Sequence, residues 1–317
     1  MGGEAPSEPR KCMARTEPRP PNLFMNKEGK IQLKSGHQIW YRRVGSGDAI
    51  PLLTLHGGPG SGHDYLEPLE KLAKDRPVIL YDQLGCGKSD QPNGASLWKL
   101  KRFLTELDEI REALNLKQIH LFGQSWGGLL AIEYMLAQPQ GVASLILADS
   151  YASMPQLAQE VNRLRSKLPA KTQETLNHFE AKGDFHHSEY RAAVIEFYNQ
   201  YVCRVPAKPD CLLRTAANLE NNIVYKTMNG PNELVVTGNL REWNRTDRLS
   251  EISVPTLILA GRYDEASPVC AETLHQGIAG SQLVIFEESS HIPHIEEESK
   301  YLGVVSRFLC RVDATAG

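Results

Sequence analysis

Residues 118–138 read QIHLFGQSWGGLLAIEYMLAQ. QIHLF is a short apolar run of the kind that forms a buried strand, and GGLLAIEYMLAQ has the composition of a helix. Between them stands Gly123-Gln124-Ser125-Trp126-Gly127, a G-x-S-x-G element. A chain that passes from strand to helix over so few residues turns sharply, and the residue at the turn is held in a strained backbone conformation. Glycines on either side remove the Cβ atoms that would clash. A serine held this way projects at the helix N-terminus, where the macrodipole favours developing negative charge. In an ordinary glycine-rich turn the same residues would carry an unremarkable serine. The strand before and the helix after make Ser125 the candidate nucleophile.

Working outward, similar apolar runs recur at 51–55 (PLLTL), 77–81 (PVILY), 142–148 (VASLILA), 254–260 (VPTLILA) and 282–286 (QLVIF). Each is bounded by turn residues, as expected of strands buried on both faces. Helical patterns lie near 64–74, 96–114, 126–138, 267–278 and 296–310, and residues 30–44 read as a hairpin around Ser35-Gly36. The alternation predicts a mostly parallel sheet flanked by helices, and with the serine turn it predicts an α/β-hydrolase fold. It breaks between about 150 and 235, where patterns such as MPQLAQEVNRLRSKL are helical with polar faces. We therefore expect a core built from 25–150 and 236–317, a helical cap at 151–235, and a polar, proline-rich flexible tail at 1–24.

A nucleophilic serine needs a base and an acid, and in this fold they follow it in the order acid, histidine. Asp264 stands just past the run PTLILA, in Gly261-Arg262-Tyr263-Asp264-Glu265. His291 follows the run LVIF, in Glu287-Glu288-Ser289-Ser290-His291-Ile292-Pro293-His294. A neutral imidazole accepts the serine proton near pH 7, and a carboxylate holds its tautomer and steadies the imidazolium. Asp264 and His291 are the expected pair. Glu265 is the rival acid and His294 the rival base, the latter set apart by Pro293. After PLLTL comes Leu55-His56-Gly57-Gly58-Pro59-Gly60, where small residues let backbone N–H groups approach a developing oxyanion. One donor is expected from this loop and the other from Trp126, the residue after the serine.

Composition narrows the alternatives. The chain has 317 residues, 41% of them apolar, enough for a large core, and a net charge of -3. That balance gives no reason to expect nucleic acid or an anionic membrane as a partner. The N-terminus lacks the apolar stretch of a secretion signal, and no apolar run is long enough to span a bilayer, so a cytoplasmic protein is expected. Six cysteines, at 12, 86, 203, 211, 270 and 310, form no CxxC pair, and free thiols are the simpler reading even for the near neighbours Cys203 and Cys211. His56 has no second ligand at zinc spacing, so neither a metal nor a cofactor is expected.

Taken together, HGGPG at 56–60, YDQLGCGKSD at 81–90, GQSWGG at 123–128, MNGPNEL at 228–234 and GRYDE at 261–265 resemble the proline iminopeptidase family, serine aminopeptidases of the α/β-hydrolase fold. The resemblance covers nearly all of the chain past the tail. The NGPNE and YDE elements look closest to the tricorn-interacting aminopeptidase branch. The resemblance implies that the oxyanion donors are Gly58 and Trp126. It also implies that two glutamates, Glu233 from the cap and Glu265 beside the catalytic aspartate, hold a substrate's free α-amino group. Leu84 stands where proline-selective members carry Arg, which implies a broader choice of first residue. The expected activity is release of an N-terminal residue, proline or broader, from short peptides through an acyl-enzyme. The alternatives are an L-amino-acid amidase, an esterase or lactonase of a biosynthetic pathway, and a non-enzymatic interaction protein. The last usually lacks a triad residue, and none is lacking here.

Overall fold

The computed structural model describes residues 26–316. The expected tail at 1–24 lies outside the described residues. The hairpin joins β1 (Lys27–Gln32) to β2 (Gln38–Val44). Its turn is closed by the Gly36 N–H on the Leu33 carbonyl (2.9 Å), with Gly36 at φ 89°. Six further strands follow: β3 (Leu52–Leu55), β4 (Val78–Tyr81), β5 (Ile119–Gln124), β6 (Val142–Ala148), β7 (Thr256–Gly261) and β8 (Gln282–Phe286).

The eight strands make one sheet in the order β1-β2-β4-β3-β5-β6-β7-β8. The β1–β2 and β2–β4 pairs are antiparallel and the rest are parallel. β3, β4, β5 and β7 are buried along their whole length. This is the burial expected of parallel strands covered on both faces, and it explains their continuous apolar runs. From β3 the chain winds to β4 on one side and then returns to β5 on the other. The C-terminal ends of β3 and β5 therefore flank the crevice where such sheets bind ligands. Leu55 pairs with Gly123 in register, so the HGGPG loop and the serine turn leave the sheet side by side.

The flanking helices are α1 (Leu100–Ala113), α2 (Trp126–Leu136), α8 (Pro268–Gly277), α9 (Pro293–Glu296) and α10 (Glu298–Ala316). Two of the helices expected from the sequence take another form. Residues Asp64–Lys74 form a 3-10 helix with Pro68 inside it, a residue whose ring clashes with the carbonyl four residues back in a regular α-helix. The helix expected from residue 96 starts only at Leu100, after a separate 3-10 turn at Ala95–Leu97. α2 is buried on nearly every side, with Glu133 its partly exposed member. Between β6 and β7 run five helices: α3 (Met154–Arg165), α4 (Ala170–Glu180), α5 (Ser188–Tyr201), α6 (Asp210–Leu219) and α7 (Ile223–Met228). They are tied to the sheet by polar bonds. Ser267 Oγ donates to Glu160 (2.6 Å), the Glu265 N–H to the Tyr201 carbonyl (3.1 Å), and Asn222 Nδ2 to the Gly85 carbonyl (2.9 Å). No helix among the described residues is long and apolar enough to cross a membrane.

The glycines of the serine turn are required by contact. A Cβ on Gly123 would strike the Gly127 carbonyl, and one on Gly127 would strike the Leu55 carbonyl of β3. One on Gly128 would meet Ser150 Oγ. These neighbours are mostly backbone, or side chains locked to it, so they cannot step aside. Gly127→Ala is expected to cost about 3 kcal/mol or to prevent folding. Gly303→Ala, where the nearest atom is the mobile end of Arg307, is expected to be neutral or stabilising by about 0.5 kcal/mol. Urea denaturation of the two variants checks the contrast.

Candidate active site

Ser125 sits between β5 and α2 with φ 55° and ψ -122°, the strained conformation the turn was expected to impose. Its N–H donates to the Ala148 carbonyl of β6 (3.0 Å), and its own carbonyl accepts from Ser150 Oγ (2.9 Å). The backbone on both sides of the serine is thereby held.

Asp264 and His291 meet as expected: His291 Nδ1 lies 2.6 Å from Asp264 Oδ1. The same oxygen accepts the Ala266 N–H (2.8 Å). Glu265, the rival acid, does not reach Nδ1. Its Oε1 stands 3.8 Å from Nε2, on the opposite edge of the ring. His294, the rival base, is fully buried with Nε2 on the Tyr65 carbonyl (3.1 Å), and burial pushes its imidazole down to about 3. It is a packing histidine.

His291 reaches the serine turn through Gln124, whose Nε2 donates to the His291 carbonyl (3.0 Å). Gln124 Oε1 accepts from Tyr65 Oη (2.5 Å), and that phenol oxygen accepts the Gly57 N–H (2.7 Å). One glutamine side chain thus joins nucleophile turn, histidine loop and HGGPG loop. Gly57 lies so close that an added Cβ would stand 3.1 Å from Ser125 Cβ and 2.8 Å from Gln124 Oε1. The Gly57 amide is therefore spoken for, whereas among the described residues the Gly58 and Trp126 amides have no acceptor within the fold. Gly58 has φ 107°, and a Cβ there would press on the Gly60 and Ser61 amides.

The DQ-x-G-x-G-x-S stretch acts as scaffold for this loop. Gln83 Oε1 accepts from the Trp126 indole (2.9 Å), and Gln83 Nε2 donates to the His56 carbonyl (3.0 Å). The Gln83 N–H donates to His56 Nε2 (3.0 Å), while His56 Nδ1 lies 3.0 Å from the Gly57 carbonyl. Both ring nitrogens are occupied as in a neutral imidazole, and burial holds His56 down at about 4. Asp82 accepts the His63 N–H and faces His63 Nδ1 (2.7 and 2.8 Å), and its second oxygen accepts the Lys88 N–H (2.8 Å). His63, Asp64 and Glu67 come near one another, but the Arg214 guanidinium already takes both of those carboxylates.

Glu233 and Glu265 converge on the same place from different parts of the chain. Glu233 Oε1 accepts from Tyr225 Oη (2.5 Å), and its N–H points to Tyr198 Oη (3.5 Å). Its loop is set by Asn232, which binds Tyr190 Oη through Nδ2 (2.8 Å) and the Leu234 N–H through Oδ1 (2.9 Å). Glu265 is buried, and its Oε2 has no partner. Burial and the facing Glu233 push the Glu265 carboxyl well above the usual range. Burial also raises Glu233, against the Tyr225 bond and the charge of His291. Burial opposes a charged His291 ring, but Asp264, Glu265 and Glu233 override it and raise it to about 9.

These geometries meet what comparison with known proteins finds. Residues 50–298 match the family described as the alpha/beta hydrolase fold. The proline iminopeptidase of Heyndrickxia coagulans is 42% identical over 285 residues, covering 90% of this chain and 99% of its own. The chain belongs to the proline iminopeptidase family, serine aminopeptidases of the α/β-hydrolase fold. Among solved structures, VinJ superposes with a TM-score of 0.88 at 38% identity, over 90% of this chain and 99% of that one. The proline iminopeptidase of Mycobacterium smegmatis follows with a TM-score of 0.85 at 36% identity, over 92% and 100%.

Sequence reasoning named Asp264, His291, Glu233 and Glu265 but passed over Gln124, Tyr65 and Gln83. Gln83 and Gln124 stand inside the quoted motifs, but most partners of these three lie far along the chain, and no local pattern shows which groups their side chains join. The raised imidazole carries a stability consequence. A group whose folded value exceeds its ordinary 6.5 stabilises fully below that value and loses the contribution as pH rises through about 9. The melting temperature is expected to fall between those limits, and to fall less in Asp264→Asn. Calorimetry across the range checks it.

Proposed function

We propose that the enzyme removes the N-terminal residue of short peptides, proline or others, with Ser125 as nucleophile, His291 as base and Asp264 as its orienting acid. In this reading residues 25–150 and 236–317 form the catalytic core and 151–235 a cap that closes the substrate end. Ser125 Oγ attacks the scissile carbonyl carbon and passes its proton to His291 Nε2. The oxyanion rests on the Gly58 and Trp126 amides. The imidazolium then gives the proton to the departing amine, and water, deprotonated by the same ring, releases the residue from the acyl-enzyme. An amino-acid amide meets the same requirements.

One observation carries the choice of substrate: Glu265 is buried and Glu233 half-buried beside His291, and among the described residues no Lys or Arg is bonded to either. Burying a carboxylate without a cation is costly, and a substrate ammonium group supplies what is missing. With Glu265 Oε1 3.8 Å from Nε2, the amine is held about one residue from the scissile bond, so internal peptide bonds do not fit. Cytoplasmic action accords with the free thiols of Cys86, Cys203, Cys211 and Cys270.

Aminoacyl p-nitroanilides, that of proline included, are expected to be hydrolysed, and their N-acetylated counterparts at least a hundredfold more slowly. Ser125→Ala is expected to lower kcat on the order of 10^4-fold or more and to abolish fluorophosphonate labelling. Equal cleavage of free and N-acetylated substrates would remove the amine-recognition reading while leaving the serine chemistry intact.

Glu265→Gln separates recognition from chemistry. It is expected to raise KM for free-amine substrates at least tenfold. Because a carboxyl that holds His291 high is gone, the acid limb of kcat/KM should also move to lower pH. Profiles of both enzymes between pH 5 and 10 are the measurement, on the order of five units about the ordinary histidine value.

A further inference from the structure

Behind the Asp264–His291 pair lies a second carboxyl that the reaction as written does not use. Asp149 follows directly on β6, is fully buried, and has φ 49°. The end of β7 grips it twice: its N–H donates to the Leu259 carbonyl (2.7 Å), and its Oδ1 accepts the Gly261 N–H (3.2 Å). The side chain therefore has one place to go, and there its carboxyl stands within hydrogen-bonding contact of Asp264.

Oδ2 of Asp149 and Oδ2 of Asp264 are both sealed from solvent, and among the described residues neither has any other donor. Two bare carboxylates in such a contact would repel, whereas one shared proton satisfies both oxygens. Among the described residues no competing cation is bonded to Asp149. His291 is engaged on the far oxygen of Asp264, and the other titratable groups around the pair are Glu265, Glu296, Cys270, Tyr65 and Tyr301.

We propose that Asp149 is a positioning residue, a neutral carboxylic acid that donates its Oδ2 proton to Oδ2 of Asp264. The inference rests on Asp264 and His291 acting as acid and base. The donated bond fixes the plane of the Asp264 carboxylate, so that Oδ1 stays on His291 Nδ1 and the Ala266 amide. It also draws charge away from Oδ1 and so moderates how strongly Asp264 holds the imidazolium. Burial and the charge of Asp264 both push the Asp149 carboxyl well above the usual range.

The side-chain amide of asparagine keeps both bonds, accepting from Gly261 and donating to Asp264, while alanine keeps neither. Asp149→Ala is expected to lower kcat about tenfold with KM little changed and to move the acid limb of kcat/KM to higher pH, and Asp149→Asn to restore most of both. An Asp149→Ala enzyme with the wild-type profile would overturn the proposal. So would an acid limb about one pH unit lower in Asp149→Asn, the mark of a lost anion. Infrared difference spectra on the Ser125→Ala background give a readout free of activity and of any assumption about substrate. A protonated-carboxyl band at neutral pH that vanishes with Asp149→Asn is expected. Its absence would refute the proposal even if the alanine variant failed to fold, and would leave the serine aminopeptidase reading untouched.

Discussion

The contact on which the rest of the molecule depends is the approach of Gly127 to the carbonyl of Leu55, close enough to exclude any side chain. It forces α2 against the end of β3 within two residues of Ser125, and the serine inherits its strained φ of 55° from that approach. Because β3 and β5 flank the point where the sheet reverses its winding, the same contact places the HGGPG loop beside Ser125. The strain is stabilised from outside the turn. Ala148 and Ser150, at and just past the end of β6, hold the backbone of Ser125 on both sides, and Asp149 between them reaches across to β7. Three strand ends thus meet around one hydroxyl, and the geometry of the site is a property of the sheet as much as of its loops.

Much of this was legible in the sequence because it is local. G-x-S-x-G between an apolar run and a helical pattern identifies a turn whose physics admits few other residues. The continuous apolar runs at β3, β4, β5 and β7 mark strands buried on both faces, since a half-exposed strand would alternate. Asp264 and His291 could be named because each follows a recognisable strand. What could not be read were the bonds between distant segments. Gln124 lies inside the motif, yet nothing nearby shows that its side chain joins Tyr65 to the carbonyl of His291. Asp149 follows an apolar strand as Asp264 does, and its partner becomes visible only when β6 and β7 lie side by side. The helix expected over 64–74 takes the tighter 3-10 form, and Pro68 inside it is a local signal against a regular α-helix.

Electrostatics joins recognition to catalysis. In the proposed reading, the three carboxyls that raise His291 to about 9 favour its protonated ring over the neutral one that takes a proton from serine. Burial pushes both Glu233 and Glu265 upward, and Glu233 pushes Glu265 further, so both are likewise reluctant to carry full charge without a partner. In the proposed reading a substrate ammonium changes both conditions together. By pairing with the two glutamates it offsets the negative field that holds the proton on His291, and the imidazole falls toward the range where it is a competent base. A substrate whose amine is blocked brings no such charge and leaves the ring protonated. On that proposal the exopeptidase preference arises twice from one arrangement: the carboxyls set how far the amine can lie from Ser125, and they keep the base silent until an amine arrives.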